Sequence, residues 1–200
     1  MGHKTNKYPY ATISTGNTKL GDIHNVSLTP CKSCLPGAPC KTQCYAMKAY
    51  RMYPSVRDCW DANLIDATRN RDGFFDNIKE HLSKQRPKFF RWHVAGDILD
   101  QDYLDRMVHI AHHFPETRFL AFTKRHELKY RYIPDNLQIV FSMWPGFGNT
   151  RKRSFRRAWM QDGTETRVPD DAIECPGHCD TCGMCWALDS IGHDVVFHKH

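Results

Sequence analysis

The distribution of cysteines constrains this chain more than any other feature of its sequence. Eight of its nine cysteines fall into two dense sets, spaced C-x2-C-x5-C-x3-C and C-x3-C-x2-C-x2-C. The first set is Cys31, Cys34, Cys40 and Cys44, and the second is Cys175, Cys179, Cys182 and Cys185. Such short spacers let one loop wrap its thiolates around a metal core, so the fold must present two such loops.

The ligand type favours iron–sulfur clusters over a single metal ion. Four thiolates are the usual ligand set of such a cluster, and four cysteines within the eleven residues of the second set are crowded for a zinc site. Zinc is the alternative, with Cys31 and Cys34 paired with Cys182 and Cys185, and purely structural thiols are a third. Cys59 lies on the apolar face of a predicted helix and is interpreted as a core thiol. The sequence predicts one or two [4Fe–4S] clusters.

Part of the second set also fits an enzyme. Cys175, Cys179 and Cys182 have the C-x3-C-x2-C spacing of radical S-adenosylmethionine (SAM) enzymes, which leave one iron open for the cofactor. Two features oppose this interpretation. Cys185 follows closely enough to bind the fourth iron, and Thr181 stands where an aromatic residue usually precedes the third cysteine. A radical-SAM-like enzyme is therefore the alternative function, and SAM the alternative cofactor.

Composition points to a reducing compartment. No apolar run approaches the roughly 18 residues that cross a bilayer, and the N-terminal segment lacks the apolar core of a secretory signal. We therefore expect a cytoplasmic protein, with no membrane partner, whose cysteines serve a purpose other than disulfides. The formal net charge is +6, but two four-thiolate clusters would bring it to roughly +2, so charge alone argues weakly for nucleic acid.

Hydrophobic periodicity predicts an α/β fold. Helices are predicted at about 42–53, from Ser55 onward, over the stretch marked by Phe74 and Leu82, at 101–113 and near 126–132, and strands at 88–95, 118–123, 137–143 and 194–198. Strands and helices that alternate with short connections indicate parallel βα units. We expect a single domain over residues 1–200, built as a partial or open βα barrel with cysteine-rich loops near both ends. Residues 145–190 are interpreted as an excursion from that core.

Four polar or small residues near the ends of predicted strands are candidates for cofactor binding. Gly96 and Asp97 follow a strand directly, where βα proteins place working residues. His93 is predicted to share a strand face with Arg91 and to point into the barrel. Lys124 ends the next strand and could meet an anionic group. Their structural alternatives are a helix cap for Asp97, a buried core histidine for His93 and a solvated edge for Lys124.

A basic run raises the question of partners. The basic run Arg151–Arg157 contains Phe155 and is followed by Trp159. Basic residues interleaved with aromatic ones can bind single-stranded nucleic acid. An exposed helix face or loop is the alternative. A redox cluster would need an electron donor as a partner. His198 and His200 close the last predicted strand and are interpreted as exposed, with cluster ligation as the alternative.

Several segments together resemble the phage gene product 88 family. They are, in chain order, GNTKLG from residue 16, CKTQCYAMK at 40–48, FRWHVAGDI at 90–98, AFTKRHE at 121–127, CPGHCDTCGMCWALD from 175, and VVFHKH at the end. The resemblance implies iron–sulfur ligation, a radical-SAM-like barrel, and a phage or prophage origin, with the host cytoplasm as the location. It implies no established reaction.

Overall fold

The structure is a computed structural model that describes residues 5–148 and 154–198. A nine-stranded sheet organises it, in the order β1-β2-β3-β4-β5-β6-β7-β9-β8. The strands are β1 (Thr5–Lys7), β2 (Thr12–Ser14), β3 (His24–Val26), β4 (Phe89–Trp92), β5 (Arg118–Thr123), β6 (Leu137–Met143), β7 (Arg156–Gln161), β8 (Ile173–Glu174) and β9 (Val195–His198). The pairs β1–β2 and β2–β3 are antiparallel, and all the others are parallel.

Six α-helices accompany the sheet in the described part of the chain. They are α1 (Ala46–Met52), α2 (Pro54–Arg69), α3 (Arg71–Gln85), α4 (Gln101–His113), α5 (Cys179–Cys182) and α6 (Leu188–Ile191). Two short 3-10 helices lie at Lys41–Gln43 and Met184–Trp186. The start of α4 is determined by the local sequence, because the Asp100 carboxylate accepts a hydrogen bond from the N–H of Tyr103 at 2.9 Å and so caps the first turn.

One side of the sheet, which we call the helix face, packs against α2, α3 and α4. Alternate strand residues such as Trp92, Phe119 and Phe141 meet Phe75 and Tyr103 from the helices in one buried cluster. Trp92 and Phe119 are fully buried, and their rings stack with centroids 6.4 Å apart. Burial of these large apolar groups is the main stabilising contribution to the fold.

The opposite side of the sheet, which we call the cysteine face, is covered by the segment that carries the second cysteine set. Leu120 and Val140 from the strands pack there with Trp186 and Leu188. Because both faces are covered, β6 is buried at six of its seven residues. The central strands thus read as nearly continuous apolar runs, as parallel strands in α/β proteins do.

The predicted α/β class and the mainly parallel sheet are confirmed, and the barrel is not. The edge strands β1 and β8 do not pair with each other in the described residues, so the sheet is open. The strands at 118–123 and 137–143 and the helix at 101–113 have the predicted bounds. No helix in the described ranges is long and apolar enough to cross a membrane.

Three sequence predictions are wrong. Residues 126–132 form turns and bends instead of a short helix. The segment 145–190 is not wholly an excursion, because it contains β7, which lies inside the sheet between β6 and β9. His93 does not share a face with Arg91, because its left-handed backbone (φ +58°) breaks the alternation after β4 and turns the ring toward Tyr103 on the helix face.

Candidate metal centres

The first cysteine loop leaves the carboxyl end of β3 and is fixed by hydrogen bonds at its start. The N–H of Leu28 donates to the carbonyl of Ala95 at 2.9 Å, and the hydroxyl of Thr29 donates to the carboxylate of Asp61 at 2.6 Å. Ser33 closes the turn, since its hydroxyl donates to the carbonyl of Thr29 at 2.7 Å. The loop therefore presents its cysteines at the carboxyl edge of the parallel sheet, where α/β proteins commonly bind ligands.

The thiols of the first set lie close enough to influence one another's ionisation. Burial is the main reason that the pKa of Cys34 rises to about 11, and the carboxylate of Asp97 and the thiols of Cys40 and Cys44 contribute. Burial also raises the pKa of Cys31, with Cys44 and Cys40 again contributing. Bringing these four sulfurs together as thiolates therefore requires a compensating positive charge.

The second cysteine segment is anchored to the cysteine face of the sheet. The indole N–H of Trp186 donates to the carbonyl of Phe90 on β4 at 3.3 Å. The backbone N–H of Asp189 donates to the side-chain carbonyl of Gln138 on β6 at 3.0 Å, and the Gln138 amide donates back to the Asp189 carboxylate at 2.9 Å. These contacts fix the end of the segment directly after its last cysteine.

The start of the same segment rests on the turn between β2 and β3. The N–H of Cys179 donates to the carbonyl of Lys19 at 3.0 Å. Gly21 lies so close to Asp180 that a Cβ on it would come within 2.3 Å of the carboxylate, and its φ of +60° also favours glycine. The GNTKLG segment therefore supports the second cysteine set, although more than 150 residues separate them in the chain.

The thiols of the second set influence one another in the same way. Burial raises the pKa of Cys185 to about 12, with contributions from Cys175, Cys179 and Cys182. The guanidinium of Arg91 opposes that rise. Cys185 is thus within electrostatic reach of the three other thiols of its set.

Arg91 is a functional candidate that sequence reasoning treated only as a neighbour of His93. It projects from β4 onto the cysteine face, with its guanidinium carbon 4.8 Å from the centroid of the Phe122 ring. Its buried Nε has no hydrogen-bond partner among the described residues. A buried cationic N–H without an acceptor is costly, and an anionic group beside it would remove that cost.

Tyr45 connects Arg91 with the first cysteine set. Its ring is 70 % exposed, yet its hydroxyl reaches inward and donates to the carbonyl of Val94. Burial of that hydroxyl raises the pKa of Tyr45, the guanidinium of Arg91 opposes the rise, and Cys44, Cys40 and Cys34 add to it. One guanidinium therefore lies within electrostatic reach of both the second set and the tyrosine that adjoins the first.

The donor chemistry of both sets fits iron–sulfur ligation. All eight cysteines are partly buried, and no cysteine of the described residues forms a disulfide. No three histidine, cysteine, aspartate or glutamate side chains of the described ranges converge tightly enough to hold one metal ion. The case for each set therefore rests on its spacing, on the mutual proximity of its thiols and on the unpaired cationic N–H of Arg91. Neither the iron nor the zinc prediction is tested by these contacts.

Gly96 and Asp97 lie beside the first cysteine loop, as their position after β4 predicts. A Cβ on Gly96 would come within 2.5 Å of the Ser33 hydroxyl oxygen. The buried Asp97 carboxylate accepts hydrogen bonds from the Thr123 hydroxyl at 2.6 Å, from the Lys124 N–H at 2.9 Å and from the adjacent backbone N–H at 2.8 Å. Asp97 thus joins the ends of β4 and β5, and Gly96 permits the loop to approach them.

His93 and Lys124 are occupied by contacts within the protein. The Nε2 of His93 lies 3.0 Å from the Tyr103 hydroxyl, and burial lowers the pKa of His93 to about 3, so the ring is neutral at pH 7. Its Nδ1 has no partner in the described residues. The ammonium of Lys124 lies 5.7 Å from the centroid of the Trp144 ring. Their role in cofactor binding stays a prediction.

The described part of the basic run belongs to the sheet. Arg151–Arg153 lie outside the described residues. Arg156, on β7, forms an ion pair with Asp189 at 3.4 Å, and Arg157 forms one with the buried Asp194 at 3.7 Å. Trp159 also donates to Asp194, at 2.9 Å.

The last of the sequence candidates lie at the carboxyl end of β9. His198 lies 3.2 Å from the carboxylate of Glu174, and both side chains are exposed. His200 is outside the described residues.

Comparison with known proteins identifies the family. Residues 5–145 match the sequence profile described as Gene product 88. The chain belongs to this family. The Gene 88 protein of Mycobacterium phage D29 is 26 % identical over 218 aligned positions, which cover 91 % of this chain and 90 % of that protein. No solved structure matches. The profile match spans the first cysteine set and Arg91, whereas the second set lies beyond it.

Proposed function

We propose that this chain binds two iron–sulfur clusters, one on each four-cysteine set, and that they serve a redox or structural role. The observation that carries the proposal is that each set holds partly buried thiols within electrostatic reach of one another: burial, and to a lesser extent the neighbouring thiols, raises the pKa of Cys31 and Cys34 in the first set and of Cys185 in the second. Neutral thiols are the stable form there without metal, and cationic iron supplies the charge that holds them as thiolates. On this proposal the open sheet is one part of a barrel-like arrangement, with helices on one face and the second cluster on the other.

A redox role draws support from Arg91. A positive charge beside a cluster stabilises its reduced form, which carries one more negative charge. Because Arg91 reaches the second set directly and the first through Tyr45, a change of charge at one set would be felt at the other. A half-buried guanidinium within reach of Cys185 and Tyr45 would thus let the charge on one cluster tune the potential of the other.

A structural role draws support from the loops themselves. The two cysteine loops, residues 31–44 and 175–185, contain few fully buried apolar side chains. Ala38 is an example of such a side chain. Cys31 also has a left-handed backbone, with φ +64°. Such loops gain little free energy from burial, so the metal would supply much of the energy that orders them.

The radical-SAM-like enzyme is a weaker second candidate. It requires one iron of the second set to lack a thiolate, whereas Cys185 lies within electrostatic reach of the other three thiols and can supply the fourth ligand. It also requires polar groups free to hold the cofactor, whereas the Asp97 carboxylate already accepts hydrogen bonds from three donors. The closed four-thiolate arrangement is therefore preferred at the second set.

Metal analysis of matched variants tests the proposal. Protein purified without oxygen should be brown and should contain about eight irons and about eight acid-labile sulfides per chain. Cys34→Ser and Cys185→Ser should each remove about half of the iron, and Cys59→Ser, outside both sets, should remove none. A colourless protein with stoichiometric zinc would instead favour zinc, and loss of that zinc in both Cys34→Ser and Cys185→Ser would indicate one site shared by the two sets. Electron paramagnetic resonance with and without SAM separates the closed clusters from an open iron, because only the open iron changes its spectrum.

A further inference from the structure

The surface beside the first cysteine set has the composition of a docking site for an acidic electron carrier. A cavity of about 580 Å³ opens there, and Cys44 forms part of its wall. Its other lining residues are Lys41, Thr42, Gln43, Met47, Lys48, Arg51 and Met52. We call this surface the basic groove. Three of its eight residues are cationic, and none is acidic.

The charges of the basic groove are not neutralised within the described part of the protein. Lys41, Lys48 and Arg51 form no ion pair there, whereas Arg57 on the following helix pairs with Asp58 at 3.6 Å. Unpaired cations around an exposed apolar centre attract acidic partners and raise the rate of encounter. An exposed apolar side chain is present in the lining, since Met52 is 54 % exposed.

The two cysteine sets are both partly buried but differ in what covers them, and this difference assigns the point of electron entry. Cys185 is covered on the cysteine face, where it packs against the apolar cluster that contains Trp186. Cys44 instead lines the basic groove. Electron transfer requires close approach of the two redox centres, so a donor protein gains most by docking where a ligand cysteine reaches the surface.

We propose that the basic groove docks an acidic one-electron carrier protein that reduces the cluster on the first cysteine set, a proposal that rests on the proposed function. The carrier loses one electron and the cluster gains it, and no bond forms or breaks. The weak, transient interface typical of electron carriers suits a small surface of this kind. Single-stranded nucleic acid is the competing occupant of a basic surface with exposed aromatic neighbours. Charge reversal in the groove separates an acidic carrier protein from single-stranded nucleic acid.

Charge reversal with a matched control tests the groove. The first variant carries Lys48→Glu and Arg51→Glu. The control carries Lys88→Glu and Arg118→Glu, two exposed residues at the opposite, amino edge of the parallel sheet. The probe is a reduced plant-type ferredoxin, chosen for its acidic surface, and the readout is the second-order rate of cluster reduction by stopped flow. A neutral small reductant, photoreduced deazaflavin, reports on the clusters without docking.

At an ionic strength of about 0.01 M, the groove variant should be reduced by ferredoxin about tenfold or more slowly than the unchanged protein, and the control by less than about twofold. Raising the ionic strength to about 0.15 M should shrink the difference. Deazaflavin should reduce all three at the same rate, and their iron contents should be equal.

Two results would overturn the docking proposal while leaving the clusters in place. One is an equal ferredoxin rate in the groove variant and the control. The other is binding of single-stranded RNA that the groove variant alone loses, with ferredoxin reduction unchanged. A protein without iron, by contrast, would refute the proposed function itself.

Discussion

Replacing Gly96 with alanine tests the contact that joins β4 to the first cysteine loop. Gly96 follows the strand with φ +89°, a backbone conformation that L-residues rarely adopt. An added Cβ would lie 2.5 Å from the Ser33 hydroxyl oxygen, 2.9 Å from the Leu28 Cβ and 3.2 Å from the Leu28 carbonyl oxygen. Relief of this clash must break the hydrogen bond from the Ser33 hydroxyl to Thr29 and shift Leu28, the two contacts that hold the start of the cysteine loop, and we expect the loop to move with them.

The expected loss of stability has two parts. A left-handed backbone at a residue with a side chain costs about 1 kcal/mol or somewhat more. Overpacking against buried neighbours adds about 1–3 kcal/mol, and the backbone atom among those neighbours cannot rotate away. We therefore expect Gly96→Ala to lower the free energy of unfolding by about 3 kcal/mol. It should also remove the iron of the first set and leave that of the second.

Gly37→Ala is the matched control, because it separates strain from collision. Gly37 lies in the same cysteine loop and has a similar φ of +75°, but nothing lies within 4 Å of a Cβ built on it. It should lose only the strain part, about 1 kcal/mol, and keep its iron. Denaturant unfolding and iron per chain measure both variants. Equal losses of stability, or retention of all iron by Gly96→Ala, would refute the close approach of β4 to the loop.

Two further predictions concern charge. Burial and His24 lower the pKa of His81 to about 4 in the folded protein, whereas its ordinary pKa is about 6.5. As the pH falls from about 6.5 to about 4, the unfolded chain takes up a proton at this histidine and the folded protein does not, so the free energy of unfolding decreases. When the pH is lowered from about 7 to about 5, the free energy of unfolding of the unchanged protein should fall by up to about 2 kcal/mol more than that of His81→Gln, as measured by urea unfolding. Parallel pH profiles of the two proteins would count against this role of His81. Arg91→Met should lower the reduction potential of the second cluster by roughly 50–100 mV in a redox titration, while Arg91→Lys, which keeps the charge, should shift it less. Equal shifts in the two variants would show that packing, not charge, is responsible.

Local pattern was sufficient to predict the central βα units. The strands around Leu120 and Ile139 and the helix containing Met107 show strong apolar patterns bounded by polar turns, and their ends agree with the sequence prediction. The third predicted helix also places Phe74 and Ile78 in the core. In these segments the apolar pattern and the tertiary packing favour the same structure, so neither overrides the other.

The missed features depend on partners that are distant in the chain. β7 begins with two arginines, which suggest a solvated run, yet Asp194 and Asp189 neutralise them across more than 30 residues. The AWM stretch at 158–160 was the available signal for a strand. Strict alternation predicts the wrong face for His93, because β4 ends before it and its left-handed backbone reverses the direction of the side chain.

The two candidate centres differ in how the fold builds them, although each set is compact in sequence. The first depends on one loop held against Gly96, at the end of β4, and against Asp61 on α2. The second depends on segments far from it in the chain, since Lys19 and Gly21 support its start and Gln138 on β6 supports its end. Closing contacts over such long separations in the chain costs conformational entropy, so the second centre requires an assembled sheet. The first centre requires only the neighbouring ends of β3 and β4 and the adjoining helix. Arg91 then gives the two centres a common dependence, because its position on β4 is set by the sheet and its guanidinium acts electrostatically on both Cys185 and Tyr45.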